Sequence, residues 1–113
     1  MSDAPKLSYF LVVQKAIGDP GRVHPVMEAH MAWLKEQLAA ERLVLTGTGQ
    51  TEASPAPDAG FNIARADDFA AAKALAEDDP FVREGIRSYE LFRINPMNGL
   101  LRVEFWGATG ALT

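Results

Sequence analysis

The sequence contains no cysteine, which excludes disulfides, thiolate nucleophiles and cysteine-based zinc sites. Histidine is nearly as scarce, with His24 and His30 the only two. Their six-position spacing is about 240° around a helix, so they cannot share a metal ion locally. No metal and no cofactor is expected. Basic residues form no cluster, and the formal charge is −4, from 11 basic and 15 acidic residues. Phosphate binding needs concentrated Lys and Arg, so nucleic acid is not an expected partner. The longest strongly apolar run, Tyr9 to Val13, falls far short of the ~20 residues that span a bilayer. The opening MSDAPKLS lacks a charged-then-apolar signal pattern, so no membrane association and a cytoplasmic location are expected. Thr46, Thr48 and Ser88 have no nucleophile-elbow context. Gly47-Thr48-Gly49 is too short for a phosphate loop and precedes no helix.

With 113 residues, the chain is long enough to bury a core as one domain, expected to span 1–113 with its core at 8–95. Ser8 to Gln14 is rich in aromatic and β-branched residues and reads as a strand buried on both faces. Gly18, Asp19, Pro20 and Gly21 mark a loop. Pro25 suits the first turn of a helix running to about Glu41. Met27, Met31, Leu34 and Leu38 lie on one stripe of that helix, the expected core face. Val26, His30, Trp33 and Gln37 form a second stripe beside it. Strands are expected at 42–47 and 60–65, the latter with Phe61 and Ile63 inward. A helix capped by Asp67 or Asp68 follows, with Phe69, Ala72, Leu75 and Ala76 as its apolar face. A short helical turn over 81–85, a strand over 86–94 and a further strand over 100–106 complete the reading.

Strand, helix, strand, strand, helix, strand is the split β-α-β order of an α+β, ferredoxin-like domain with an antiparallel sheet. Its helices cover one sheet face. The other face is also apolar, since Leu43-Val44-Leu45 and Tyr89 to Ile94 offer apolar groups on both sides. Soluble monomers seldom expose such a patch. The simplest cover is a second copy, sheet against sheet, which makes a homodimer with a barrel-like centre. The other cover is the C-terminal strand folded back over its own sheet.

At helix one the chain reads His30-Met31-Ala32-Trp33-Leu34, after strand two it has Gly47, and after helix two it reads Asp79-Pro80-Phe81-Val82. With Tyr9 to Val13, this set resembles the YCII-related (YciI-like) domain family over about residues 8–95. The resemblance implies a dimeric α+β barrel, related to muconolactone isomerases, and a catalytic pair of His30 and Asp79. A carboxylate on one ring nitrogen fixes the imidazole tautomer and makes the other nitrogen a general base. The implied activity is that of a cofactor-independent isomerase, lyase or dehydrohalogenase-like enzyme on a small cyclic or enolisable compound. Tyr9, Trp33 and Phe81 would line its substrate pocket. A non-catalytic dimer that binds a small ligand or a protein is the alternative. Asp79-Pro80 is also a good N-cap and first-turn pair, which suffices to explain Asp79 without catalysis. Many family members carry Arg-Pro-Ala-His before the helix. Here Met27-Glu28-Ala29-His30 stands there, and Arg22 and Arg83 are the candidates for the missing cation.

Overall fold

A computed structural model describes residues 8–96. The expected strand over 100–106 and the C-terminal extension lie outside the described residues. Four strands form one antiparallel sheet in the order β2-β3-β1-β4. They are β1 (Ser8–Ala16), β2 (Leu43–Gly49), β3 (Ala59–Ala66) and β4 (Arg87–Arg93). Helix α1 (Val23–Ala39) joins β1 to β2, and α2 (Phe69–Asp78) and α3 (Pro80–Arg83) join β3 to β4. This is the ferredoxin-like α+β arrangement, with α1 and α2 on one face of the sheet.

Local chemistry sets the boundaries. Asp19 caps a single 3-10 turn over Pro20–Arg22, accepting from the Gly21 N–H, and α1 starts directly after it. Asp68 caps α2 by accepting from the Ala71 N–H at 2.8 Å. Gly85, at φ +73°, takes the left-handed conformation that ends α3, and the Ile86 N–H then donates to the Phe81 carbonyl at 2.8 Å. That closure delivers the chain into β4 at Arg87.

Burial alternates along β1, and Phe10, Val12 and Gln14 face the helices. Phe10 joins Trp33, Leu34, Leu43, Ala64 and Ala72 in the central core. Two expectations are corrected here. Met27 and Met31 do not form the core face of α1, since they are 39% and 55% exposed. The buried residues of α1 are His30, Trp33, Leu34 and Gln37. The helix is turned so that the stripe with the polar members packs inward, and those members have partners: His30 reaches Asp79, and Gln37 accepts from Arg42. Phe61 and Ile63 do not point toward the helices either. Gly60, Asn62 and Ala64 occupy that side of β3: the bare Gly60 leaves room for the Arg87 side chain, and Ala64 packs in the core with Trp33 and Leu34. Asn62 is satisfied by the Thr46 hydroxyl, which donates to it at 2.7 Å.

Phe61 and Ile63 instead share the face away from the helices with Leu11, Val13 and Leu45. Phe92, opposite Leu11 in the ladder, adds a half-exposed ring to the same face. In α2, Ala72 and Ala76 are buried as expected, but Phe69 is half exposed and meets Phe10 edge-on at 5.0 Å. Among the described residues, no helix is long and apolar enough to cross a membrane.

Candidate active site

Asp79 is fully buried at the junction of α2 and α3. Pro80 after it disfavours a helical backbone at Asp79, whose φ of −59° and ψ of 125° interrupt the two helices. The carboxylate is thereby turned back into the domain. Its Oδ1 accepts from the Phe81 N–H at 2.9 Å, which caps α3. The same oxygen lies 2.7 Å from His30 Nδ1. Oδ2 accepts from Gln14 Nε2 at 2.8 Å. Capping and the histidine contact therefore share one oxygen, and the second oxygen reaches the sheet.

The chain of contacts continues one step further. Arg87 Nη1 donates to Gln14 Oε1 at 2.9 Å. Gln14 is an amide of fixed polarity, accepting from Arg87 and donating to Asp79, which settles the orientation of its side chain. Burial alone would push the Asp79 carboxyl up. The hydrogen bonds from His30, Gln14 and the Phe81 N–H outweigh that effect and hold it below the ordinary carboxylate value. An ionised carboxylate only accepts, so His30 Nδ1 carries the proton that faces it. Nε2 is left as the ring's free end, with no hydrogen-bond partner among the described residues.

Phe81 fixes the plane of the imidazole. The two rings stack with centroids 4.0 Å apart and 18° between planes. The Arg87 guanidinium carbon lies 4.5 Å from the centroid of the same ring. Two planar groups cannot share one ring face at these distances, so Phe81 is sandwiched between His30 and Arg87. The imidazole is thus held by a hydrogen bond in its plane and by a ring across its face. His30 itself is 7% exposed.

The other expected residues fall in different places. Trp33 is in the core, and its indole N–H donates to Asp78 Oδ2 at 2.8 Å, which ties α1 to the end of α2. Phe81 has no exposed surface. Tyr9 is 42% exposed and alternates with Phe10, so it lies on the sheet face away from His30. The three aromatic residues do not line a common pocket within one chain. Arg22 donates to the Glu84 carbonyl at 2.6 Å, and Arg83 lies at the surface 3.6 Å from Asp78. Neither contacts the His30–Asp79 pair. Sequence reasoning missed Gln14 and Arg87. One signal was available for Gln14: a polar residue on the buried phase of an apolar strand needs a buried partner. Among the described residues, no group of three His, Asp or Glu side chains could hold a metal ion.

The YCII-related domain matches residues 9–95. No curated protein matches the chain significantly. Among solved structures, the chain is similar to TftG, a 5-chloro-2-hydroxyhydroquinone dehydrochlorinase from Burkholderia phenoliruptrix in complex with 2,5-dihydroxybenzoquinone. That match has a TM-score of 0.58 and 23% identity over 77% of this chain and 93% of the other. A looser match is SnoaB, a cofactor-independent oxygenase from Streptomyces nogalater, with a TM-score of 0.47 and 15% identity over 85% of this chain and 98% of the other. With its ferredoxin-like sheet and a domain match over most of its length, the chain belongs to the YCII-related domain family.

Proposed function

We propose that this protein is a cofactor-independent enzyme of the isomerase or lyase type, moving a proton on a small cyclic or enolisable compound. The carrying observation is the buried 2.7 Å contact between His30 Nδ1 and Asp79 Oδ1. Asp79 fixes the tautomer and stabilises the imidazolium that forms when Nε2 takes a proton. Phe81 keeps the ring plane constant through the cycle. Trp33 acts as an anchor for the helix that carries His30. Dehydrochlorination of a cyclic compound, the activity of TftG, belongs to the same class of proton-coupled elimination and supports this reading.

The working form proposed is a homodimer. The face carrying Leu11, Val13, Phe61, Ile63 and Phe92 would be covered by the same face of a second copy, and Tyr9 would lie along that seam. A second reading, a binding dimer without turnover, is favoured by one observation: Asp79 also caps α3, so the pair has a structural role in any case.

The test is a screen of lactones, catechols and keto acids in deuterated water, following loss of substrate protons and product by NMR. Wild type is compared with His30→Gln, which keeps a polar side chain of similar reach. General base catalysis contributes roughly 10²–10⁴-fold, and a rate loss of that order is expected. Equal turnover in the two proteins removes His30 from the mechanism. No turnover by wild type across the panel, with saturable binding, selects the binding dimer.

A further inference from the structure

We infer that the pocket beside Arg87 is a binding subsite for the anionic oxygen of a small hydroxy- or keto-carboxylate. The pocket has a volume of about 110 Å³ and is lined by Ala16, Thr48, Pro57, Asp58, Ala59 and Arg87. It lies where β1 ends and the chain returns from β2 to β3. An apolar cavity of about 150 Å³ holds a benzene ring, so this smaller, partly open space takes about four to five non-hydrogen atoms, with the rest of a small acid at its mouth.

Arg87 is the reason to expect an anion. Its guanidinium is part-buried, and among the described residues no carboxylate lies within salt-bridge distance of it. One of its N–H groups is used on Gln14, and its carbon packs over Phe81. A guanidinium has five N–H donors in a planar fork, which leaves most of them for a ligand. Burial weakens its hold on the proton, while the more distant Asp79 charge acts in the opposite sense. Asp79 is itself engaged by His30, so a ligand anion is the missing close countercharge.

The backbone is shaped for this placement. A Cβ at Gly60 would stand 2.8 Å from Arg87 Nη1, so the bare glycine lets the guanidinium lie against β3. Asp58 and Thr48 narrow the choice of ligand. A dianion would be repelled by Asp58. A monoanion with a neighbouring hydroxyl or carbonyl oxygen places its carboxylate on Arg87 and its second oxygen near Thr48, whose hydroxyl donates to a carbonyl and donates to or accepts from a hydroxyl. Binding here requires no turnover, so the inference stands apart from the role proposed for His30.

The experiment is a titration of the isotopically labelled full chain with lactate and with pyruvate, followed by NMR. Saturable shifts of the Thr48, Asp58 and Ala59 amides and of the Gln14 side-chain amide are expected. Arg87→Gln should weaken the affinity at least about tenfold, the loss of one charge-assisted contact. Arg87 also supports Gln14, so Thr48→Leu supplies a variant at an exposed position that leaves the core untouched. It should block the pocket and abolish the same shifts. Asp58→Asn should tighten binding. His30→Gln keeps the Arg87 guanidinium and should weaken binding less than Arg87→Gln does, since His30 is hydrogen-bonded to Arg87 only through Asp79 and Gln14. Shifts confined to residues around His30, unchanged affinity in Arg87→Gln or Thr48→Leu, or no saturable shift with either acid would overturn the inference.

Discussion

Replacing Asp79 with asparagine removes one acceptor and one charge from the middle of a hydrogen-bonded chain whose polarity is fixed. The new side chain can keep its carbonyl oxygen on His30 and the Phe81 N–H, the partners of the present Oδ1. Its amide nitrogen then faces the Gln14 amide nitrogen, donor against donor, where a 2.8 Å bond stood. Flipping Gln14 relieves that clash only by creating another, because the Arg87 N–H would then meet the Gln14 nitrogen in place of its oxygen. One bond is lost wherever the chain adjusts. Hydrogen bonds to buried charged groups contribute about 1.5–3 kcal/mol each. The two retained bonds also weaken without the charge, so the variant should lose roughly 2–4 kcal/mol at pH 7.

The pH dependence has a definite sign. The Asp79 carboxyl is held below its ordinary value in the folded protein. Its stabilisation is complete above the unfolded value of about 4 and fades as the pH falls through the folded value. The gap between wild type and Asp79→Asn should therefore narrow in acid. Urea denaturation followed by tryptophan fluorescence, in steps from pH 7 to pH 3, measures this gap. A difference under about 0.5 kcal/mol at pH 7 would refute the reasoning, because surface substitutions fall in that range. A gap that stays constant across the series would refute the charge-based part.

Trp33→Phe should cost about 1–2 kcal/mol in the same assay, since the ring packing largely remains and the bond to Asp78 is lost; a loss confined to the unfolding rate would place that contact late in folding. Glu41 holds a left-handed backbone at φ 59°, so Glu41→Gly should raise stability by about 1 kcal/mol despite loss of its exposed contact with Arg65. A fall in stability would mean that the ion pair outweighs the backbone term. Phe92→Glu places a charge on the half-exposed apolar sheet face and should convert the proposed dimer to a monomer, read by light scattering at micromolar concentration. A wild-type protein already monomeric under those conditions removes the proposed interface.

The order of strands and helices along the chain was legible because period-2 and period-3.6 patterns are written locally. The orientation of α1 was not. Met27 and Met31 are the more apolar residues, yet His30 and Gln37 are the buried ones, since specific partners satisfy their polar atoms. Pattern reading ranks residues by transfer free energy and cannot see those partners. The same limit applies to β3, where the small residues Gly60 and Ala64 sit beneath the helices and the larger Phe61 and Ile63 turn away. His30 and Asp79 were named through a family resemblance and the turn chemistry of Asp79-Pro80. Gln14 and Arg87 are 73 positions apart, and only the β1–β4 ladder brings them together.

Gln14 has one further consequence. A primary amide transmits a dipole but does not take up and release protons near neutral pH, so it insulates the site from Arg87 as a wire would not. No proton reaches Asp79 along this path. Whatever proton His30 takes or gives must enter and leave through Nε2, the nitrogen not bonded to Asp79. The interior of the domain thereby fixes the angle of the ring and stays closed to the traffic it handles.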